Sequence, residues 1–370
     1  MTTQELLCTL LRFKSVTPKD DGAFAFIKTY LHTFEAIELD LHGVKNLFLI
    51  KRFGEGPHLC FAGHIDVVPA GEGWQSDPFV PKIENGIIYA RGAQDMKSGV
   101  CAFLRACHDT THFDGTLSIL LTSDEEGDAK YGTIEMLKHL KQQALLPDFT
   151  IVAEPTSQHI FGDAIKIGRR GSINGVIEIL GKQGHAAYPQ KAINPIHQIA
   201  PLLSQLAGHY LDEGDASFEP SQIVITDIRG GMEVTNVTPA KLKIMFNVRN
   251  SPKTTKEHLH AYIEQVLQGL DYTLSLSQSA KPFITKPDTR LVNVVQNALI
   301  AITKNAPELS TAGGTSDARF FGEFGIETIE CGVLNDTIHA VNECVKLEDV
   351  EALVDVFTYI IHHISQKEIQ

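Results

Sequence analysis

Short apolar runs at residues 59–62, 117–121 and 149–153 each give way at once to polar residues. Continuous runs of this length predict strands buried on both faces, with ends that reach a functional edge. Between the first two, Val100, Phe103, Leu104 and Cys107 recur at helical spacing, and residues 134–140 give a second amphipathic stretch. Strands alternating with helices predict an α/β domain with a central, mostly parallel sheet between helices. Ligands of such sheets gather beyond the carboxyl ends of the strands.

From about Ser172 the pattern changes. A strand at 176–180 is followed by a helix capped by Asn194 with Pro195 in its first turn, then by a strand at 222–228. Next comes a clean alternation: Leu242, Ile244, Phe246 and Val248 face one way, Lys241, Lys243, Asn247 and Arg249 the other. A capping box Thr254-x-x-Glu257 opens a helix towards Leu267, and a strand at 272–276 closes the segment. After a Pro-punctuated stretch at 281–288 the α/β character returns, ending in an amphipathic helix at 347–364. Residues 172–283 therefore read as an α+β domain inserted into a discontinuous α/β domain, residues 1–171 and 284–370.

The length of 370 residues suits two domains, and 43% hydrophobic with 21% charged residues is ordinary globular composition. A formal charge of −13 and the lack of a basic stripe argue against nucleic acid as a partner. No stretch resembles a membrane span, and the first eleven residues lack a secretory pattern, so a cytoplasmic location is expected. The six cysteines form no C-x-x-C pair and sit mostly among apolar residues, as buried reduced thiols would.

Candidate chemistry sits at the strand ends. His64 ends the first apolar run, and Asp66, two residues on, would share its face and could orient the imidazole. Asp95 lies in a Gly-containing loop before a helix, as a ligand or as an ordinary N-cap. Asp124, Glu125 and Glu126 follow the second run; adjacent acids there form either a solvated turn or a cation site, with Glu126 ligating and Glu125 handling protons. Glu154 follows the third run, and His339 comes shortly after an apolar strand at 327–333. Two histidines and three carboxylates in such positions suit zinc, cobalt or manganese rather than a thiolate site.

The motifs at 63–69 (Gly-His-Ile-Asp-Val-Val-Pro), 91–97 (Arg-Gly-Ala-Gln-Asp-Met-Lys), 124–127 (Asp-Glu-Glu-Gly) and 154–155 (Glu-Pro), with the late His339, resemble the M20 metallopeptidase family over essentially the whole chain. Gly171-Ser172 after Arg169-Arg170, the run 184–189 and the run 313–320 resemble the branch acting on N-succinyl-LL-2,6-diaminopimelate. The resemblance implies two zinc ions per subunit, with cobalt able to substitute at one site. His64 and Glu154 would hold one, Glu126 and His339 the other, and Asp95 would bridge them. It implies Glu125 as general base, and Asp66, read from its place two residues after His64, is expected to join the catalytic set as the carboxylate that orients the ring. The inserted domain would be a lid and dimerisation domain of a homodimer, with His185 reaching the partner's active site. His185 alone also reads as a turn residue.

Arg169, Asn236, Arg249, Gly314, Thr315 and Asn335 match positions that bind substrate carboxylates or shape the pocket. A substrate with several carboxylates calls for planar bidentate donors, which Arg169 and Arg249 can supply, although either also reads as a surface residue. The implied reaction is hydrolysis of the succinyl amide to succinate and LL-2,6-diaminopimelate. Two alternatives stay open: another M20 amidase, such as an acetylornithine deacetylase or an aminoacylase, or a non-catalytic metal- or peptide-binding module. No phosphate loop or dinucleotide fingerprint occurs.

Overall fold

A computed structural model of the chain describes residues 1–366. It divides into two compact units: Met1–Gly168, Ile284–Ser310 and the segment from Ser316 form one, while Arg169–Phe283 and Thr311–Thr315 form the other.

The first unit is built on an eight-stranded sheet in the order Glu35–Leu41, Val44–Arg52, Thr116–Thr122, His58–His64, Phe149–Val152, Glu327–Glu330, Ala164–Lys166, Glu308–Ser310. The strands Thr116–Thr122, His58–His64, Phe149–Val152 and Glu327–Glu330 pair in parallel, and the first two strands join antiparallel. The central strands are buried along nearly their whole length, because helices cover both faces. Phe61 shows the packing: its ring centroid lies 5.9 Å from Phe103 of the helix Lys97–Asp109 and 5.0 Å from Phe357 of the helix Leu347–His363. Removing a ring so enclosed costs about 3–5 kcal/mol.

The helix Lys97–Asp109 comes unusually close to the sheet at Gly99. A Cβ there would lie 2.2 Å from the carbonyl oxygen of Ala153. Only glycine lets this helix rest against the backbone that carries Glu154.

The second unit is a four-stranded antiparallel sheet in the order Gln222–Gly230, Lys241–Arg249, Ser172–Leu180, Tyr272–Ala280. One face is covered, with Ile177, Ile179, Ile244, Val248, Leu259 and Ile263 in its core. The expected capping box differs by one position. The helix Lys256–Val266 is capped by Thr255, whose side chain accepts the N–H of His258, whereas Thr254 is buried and donates to Oδ2 of Asp212 at 2.6 Å. A threonine committed to a tertiary acceptor is not free to cap. Among the described residues no helix is long and apolar enough to cross a membrane, and all six cysteines are free.

Candidate metal centre

The parallel strands bring their carboxyl ends to one edge of the first unit's sheet. His64 is the last residue of its strand and sits beside Thr122, the last residue of the neighbouring one. Glu125 and Glu126 come three and four residues later. On the other side Ala62 pairs with Val152, two residues before Glu154, and Val152 pairs with Glu330 of the strand preceding the His339 loop.

Asp95 stands between these groups. Its Oδ1 lies 3.1 Å from Nε2 of His64, which is also 3.8 Å from Oε1 of Glu154. Its Oδ2 lies 3.2 Å from Nε2 of His339, which is also 3.0 Å from Oε1 of Glu126. One carboxylate thus faces two imidazole–carboxylate pairs, one with each oxygen. The ordinary alternative for Asp95 is removed: the N-cap of the following helix is Met96, and Asp95 caps nothing.

The chemistry of the donors fits a cation. Nδ1 of His64 lies 2.8 Å from the main-chain carbonyl oxygen of Asp66 and must donate its proton there. In the neutral ring, Nε2 then offers a lone pair to the Asp95 oxygen, and two acceptors at that distance repel unless a proton or a metal ion stands between them. Ligand atoms of His64, Asp95 and Glu126 lie within 4.8 Å of one another.

The electrostatics express the same demand. Burial lowers the proton affinity of His64, but Asp95, Glu154, Glu125 and Asp66 together raise it well above the usual histidine range. Hydrogen bonds to Asp95 and Glu126 raise His339 to about 10. Burial works against ionisation of Asp95, but its bonds to His339 and His64 win and hold it below the ordinary carboxylate range. Glu125 is raised well above that range, chiefly by burial, with Asp317, Glu126 and Asp95 adding to it. Glu154 is raised by burial and by Asp95. A cluster of carboxylates that cannot all stay charged without compensation is a cation site or a proton store.

The acids at 124–126 divide their work. Asp124 accepts the N–H groups of Lys130 at 3.1 Å and Tyr131 at 3.3 Å and shapes the turn, leaving Glu125 and Glu126 for the centre. Asp66 plays a part not anticipated: its carbonyl, rather than its carboxylate at 3.7 Å, takes the His64 proton. The carboxylate instead accepts the N–H of Glu126 at 3.1 Å and so ties the two ligand loops together. Asn335 is exposed on the loop leading to His339.

In the second unit Arg169 donates to the carbonyl oxygen of Ala312 at 3.1 Å. The backbone at Gly313 adopts φ 106, a conformation that favours glycine, and there the loop carrying Gly314 and Thr315 lies against the Arg169 guanidinium. The short strands Gly184–His185 and Val237–Thr238 pair, and the N–H of Ala186 bonds to the carbonyl of Asn236 at 2.9 Å, which makes His185 and Asn236 neighbours. Nδ1 of His185 accepts the N–H of Ala187 at 3.0 Å, so the ring proton resides on Nε2 and is free to donate. Arg249 lines a cavity of about 660 Å³ with Arg170, Tyr210 and Glu219, and Arg170 is paired there with Glu219 at 2.9 Å.

One residue of the centre, Glu343, escapes a reading of the sequence. It is fully buried and accepts four N–H donors from the Asp95 loop. A glutamate between Asn342 and Cys344 carries no local signal for this, since all of its partners lie some 250 positions away in the chain.

Residues 60–363 match the model of peptidase family M20/M25/M40. The chain belongs to this family. M20 relatives named succinyl-diaminopimelate desuccinylase are similar along nearly the whole length. That of Sulfurovum sp. (strain NBC37-1) is 60% identical, covering 99% of this chain and 100% of its own. That of Nautilia profundicola is 59% identical, covering 98% and 99%. Solved structures share the fold at low identity. Aminopeptidase PepT from Bacillus cereus superposes with a TM-score of 0.82 at 20% identity, over 99% of this chain and 100% of that one. An M20 metallo-carboxypeptidase, Sso-CP2 from Sulfolobus solfataricus, gives 0.80 at 16%, over 99% of each. The expected α/β architecture with an inserted antiparallel α+β part is the M20 fold, and the chain is an M20-family hydrolase.

Proposed function

We propose that this chain hydrolyses the amide bond of N-succinyl-LL-2,6-diaminopimelate, releasing succinate and LL-2,6-diaminopimelate, in the cytoplasm. The chemistry rests on one observation: each oxygen of Asp95 faces its own histidine, and each histidine has its own glutamate beside it, an arrangement suited to two divalent ions. The substrate rests on relatives of that name at 57–60% identity.

His64 and Glu154 would hold one zinc, His339 and Glu126 the other, and Asp95 both. Bound there, the ions supply Lewis acidity, activating water and polarising the scissile carbonyl. Glu125 is not among the five ligands, and its raised proton affinity suits it to take a proton from the attacking water and deliver it to the departing amine nitrogen. Asp66 keeps the His64 ring in its tautomer. The inserted unit acts as lid and dimerisation domain, from which His185 of the partner subunit donates its Nε2–H to the developing oxyanion. Arg169, with the Gly314–Thr315 loop against it, and Arg249 receive the substrate carboxylates, and Asn236 and Asn335 complete the pocket.

A substrate panel tests the reading. Metal-stripped protein, before and after addition of zinc, is given N-succinyl-LL-2,6-diaminopimelate, N-acetylornithine and simple N-acyl amino acids. Zinc-dependent turnover with strong preference for the succinyl compound is expected. Preference for N-acetylornithine would make the chain a different M20 amidase, and no turnover of any amide would leave a binding module.

A further inference from the structure

His64 and His339 are held in different ways. His64 is 1% exposed, and its ring is fixed through Nδ1. The side chain of His339 is 49% exposed, and among the described residues its ring makes polar contacts only through Nε2. The position of this imidazole relative to Asp95 must therefore come from the main chain that carries it, which at His339 adopts φ 58, a conformation that disfavours side chains other than glycine.

That main chain is pinned on both sides of His339. Before it, Gln94 binds the loop: its Oε1 accepts the N–H of Thr337 at 2.8 Å and the hydroxyl of Thr337 at 3.0 Å, and its amide nitrogen donates to Asp336. After it, Glu343 accepts the N–H of Asp95 at 3.0 Å and of Gln94 at 2.8 Å on one oxygen. Its other oxygen takes the N–H of Gly92 at 2.9 Å and Nη1 of Arg91 at 2.8 Å. The Thr337 hydroxyl also accepts the N–H of Cys344, the residue after Glu343, at 3.1 Å, which closes a ring of bonds around the loop. Arg91 adds a bond from Nη2 to the carbonyl oxygen of His339 at 3.3 Å.

Neither Gln94 nor Glu343 is among the five ligands, yet together they lock the segment bearing Asp95 to both ends of the segment bearing His339. A buried carboxylate with four donors, one of them a guanidinium, is a satisfied network, rigid where a lone surface contact would not be. We propose that Gln94 and Glu343 are positioning residues, a clamp that sets the spacing of Asp95 and His339 and with it the affinity of the centre for its second divalent ion. The proposal rests on the two-ion reading given above.

Three measurements on the full chain test it. Glu343→Gln replaces an acceptor by an amide that confronts N–H donors and leaves Arg91 without its carboxylate. Thr337→Val removes only the hydroxyl that links Gln94 to Cys344, and serves as a mild variant should the first fold poorly. Metal-stripped protein is titrated with zinc against a chromophoric chelator, the absorption spectrum of the cobalt-loaded protein is recorded, and kcat and KM are measured on the succinyl substrate. Melting of the stripped protein reports on the fold. Both variants are expected to bind one of two zinc equivalents about 10- to 100-fold more weakly. They should also show an altered cobalt spectrum and lose kcat at nearly unchanged KM, with excess zinc restoring turnover. Normal affinity for both equivalents in both variants would overturn the clamp, whatever happens to kcat. A parent chain that binds a single zinc would overturn the two-ion reading and this proposal together. Uptake is measured without substrate, so an error in the substrate class does not disturb the test.

Discussion

Nε2 of His64 lies 3.1 Å from Oδ1 of Asp95, while Nδ1 of the same ring lies 2.8 Å from the carbonyl oxygen of Asp66. One ring therefore has its donor spent on the main chain and its lone pair turned towards an anion. That pairing is stable only with a positive charge between the two groups, and it dictates how the protein should respond to metal. Stripping with a chelator should lower the melting temperature by several degrees and abolish turnover, and zinc should restore both. At free zinc one hundred times the dissociation constant the stabilisation is about 2.7 kcal/mol. A melting temperature indifferent to chelator and zinc would count against a cation at this centre.

Glu125 and Glu126 are adjacent but are assigned different work. Glu125→Gln keeps the size of the side chain and removes its ability to take a proton. It should bind the same amount of zinc by elemental analysis and lose about 10²- to 10⁴-fold in kcat. Glu126→Gln should lose zinc as well. If Glu125→Gln works at the parent rate, Glu125 is not the base.

His185 offers a free Nε2–H from an exposed strand of the second unit. If it serves the partner's site, then mixing inactive His185→Ala with inactive Glu125→Gln chains should recover about half of the parent activity per heterodimer, because one of its two sites is intact, and about a quarter in a fully exchanged equal mixture. Verified subunit exchange without recovery would remove the trans role.

Gly99 allows a helix to touch the Ala153 backbone at a distance no Cβ tolerates. Gly99→Ala must push the helix Lys97–Asp109 away from the loop bearing Glu154, at a cost of about 1–3 kcal/mol. Urea unfolding of the stripped protein should show the loss, and zinc affinity should fall with it. Unchanged stability would show that the helix can shift freely.

His58 lies at the opposite end of the strand from His64 and titrates independently of the metal centre. Burial pushes its pKa down to about 4 from 6.5, against a partly compensating pull from Asp148. The unfolded chain takes up this proton near pH 6.5 and the folded chain only near pH 4, so stability falls as pH drops through that window and levels off below it. The full effect is about 3 kcal/mol at most. His58→Gln can keep a bond to Ser118, now 2.7 Å from Nε2, and should show a shallower loss of stability between pH 6.5 and 4 in denaturant titrations. Parallel profiles for the two proteins would contradict the shift.

The strands at 59–62, 117–121 and 149–153, the helices between them and the alternating strand at 241–249 could be read directly, because burial on one or both faces leaves a period in the chain itself. The candidate ligands were legible for a related reason: acids and histidines placed at the ends of apolar runs have little structural excuse. Thr254 shows where local reading fails. It has the spacing of a cap, but a distant partner, Asp212, lies 42 positions away and claims its hydroxyl. The same limit hid all of Glu343. Asp66 is a different case: it lies two residues from His64, and the extended spacing pointed to its carboxylate where the main-chain carbonyl takes the proton. Which residues can bind a cation is a matter of side-chain chemistry and is written in the sequence. Which oxygen of Asp95 faces which histidine, and what holds the two apart, depends on contacts between segments up to some 250 residues distant, and only the folded chain brings those together.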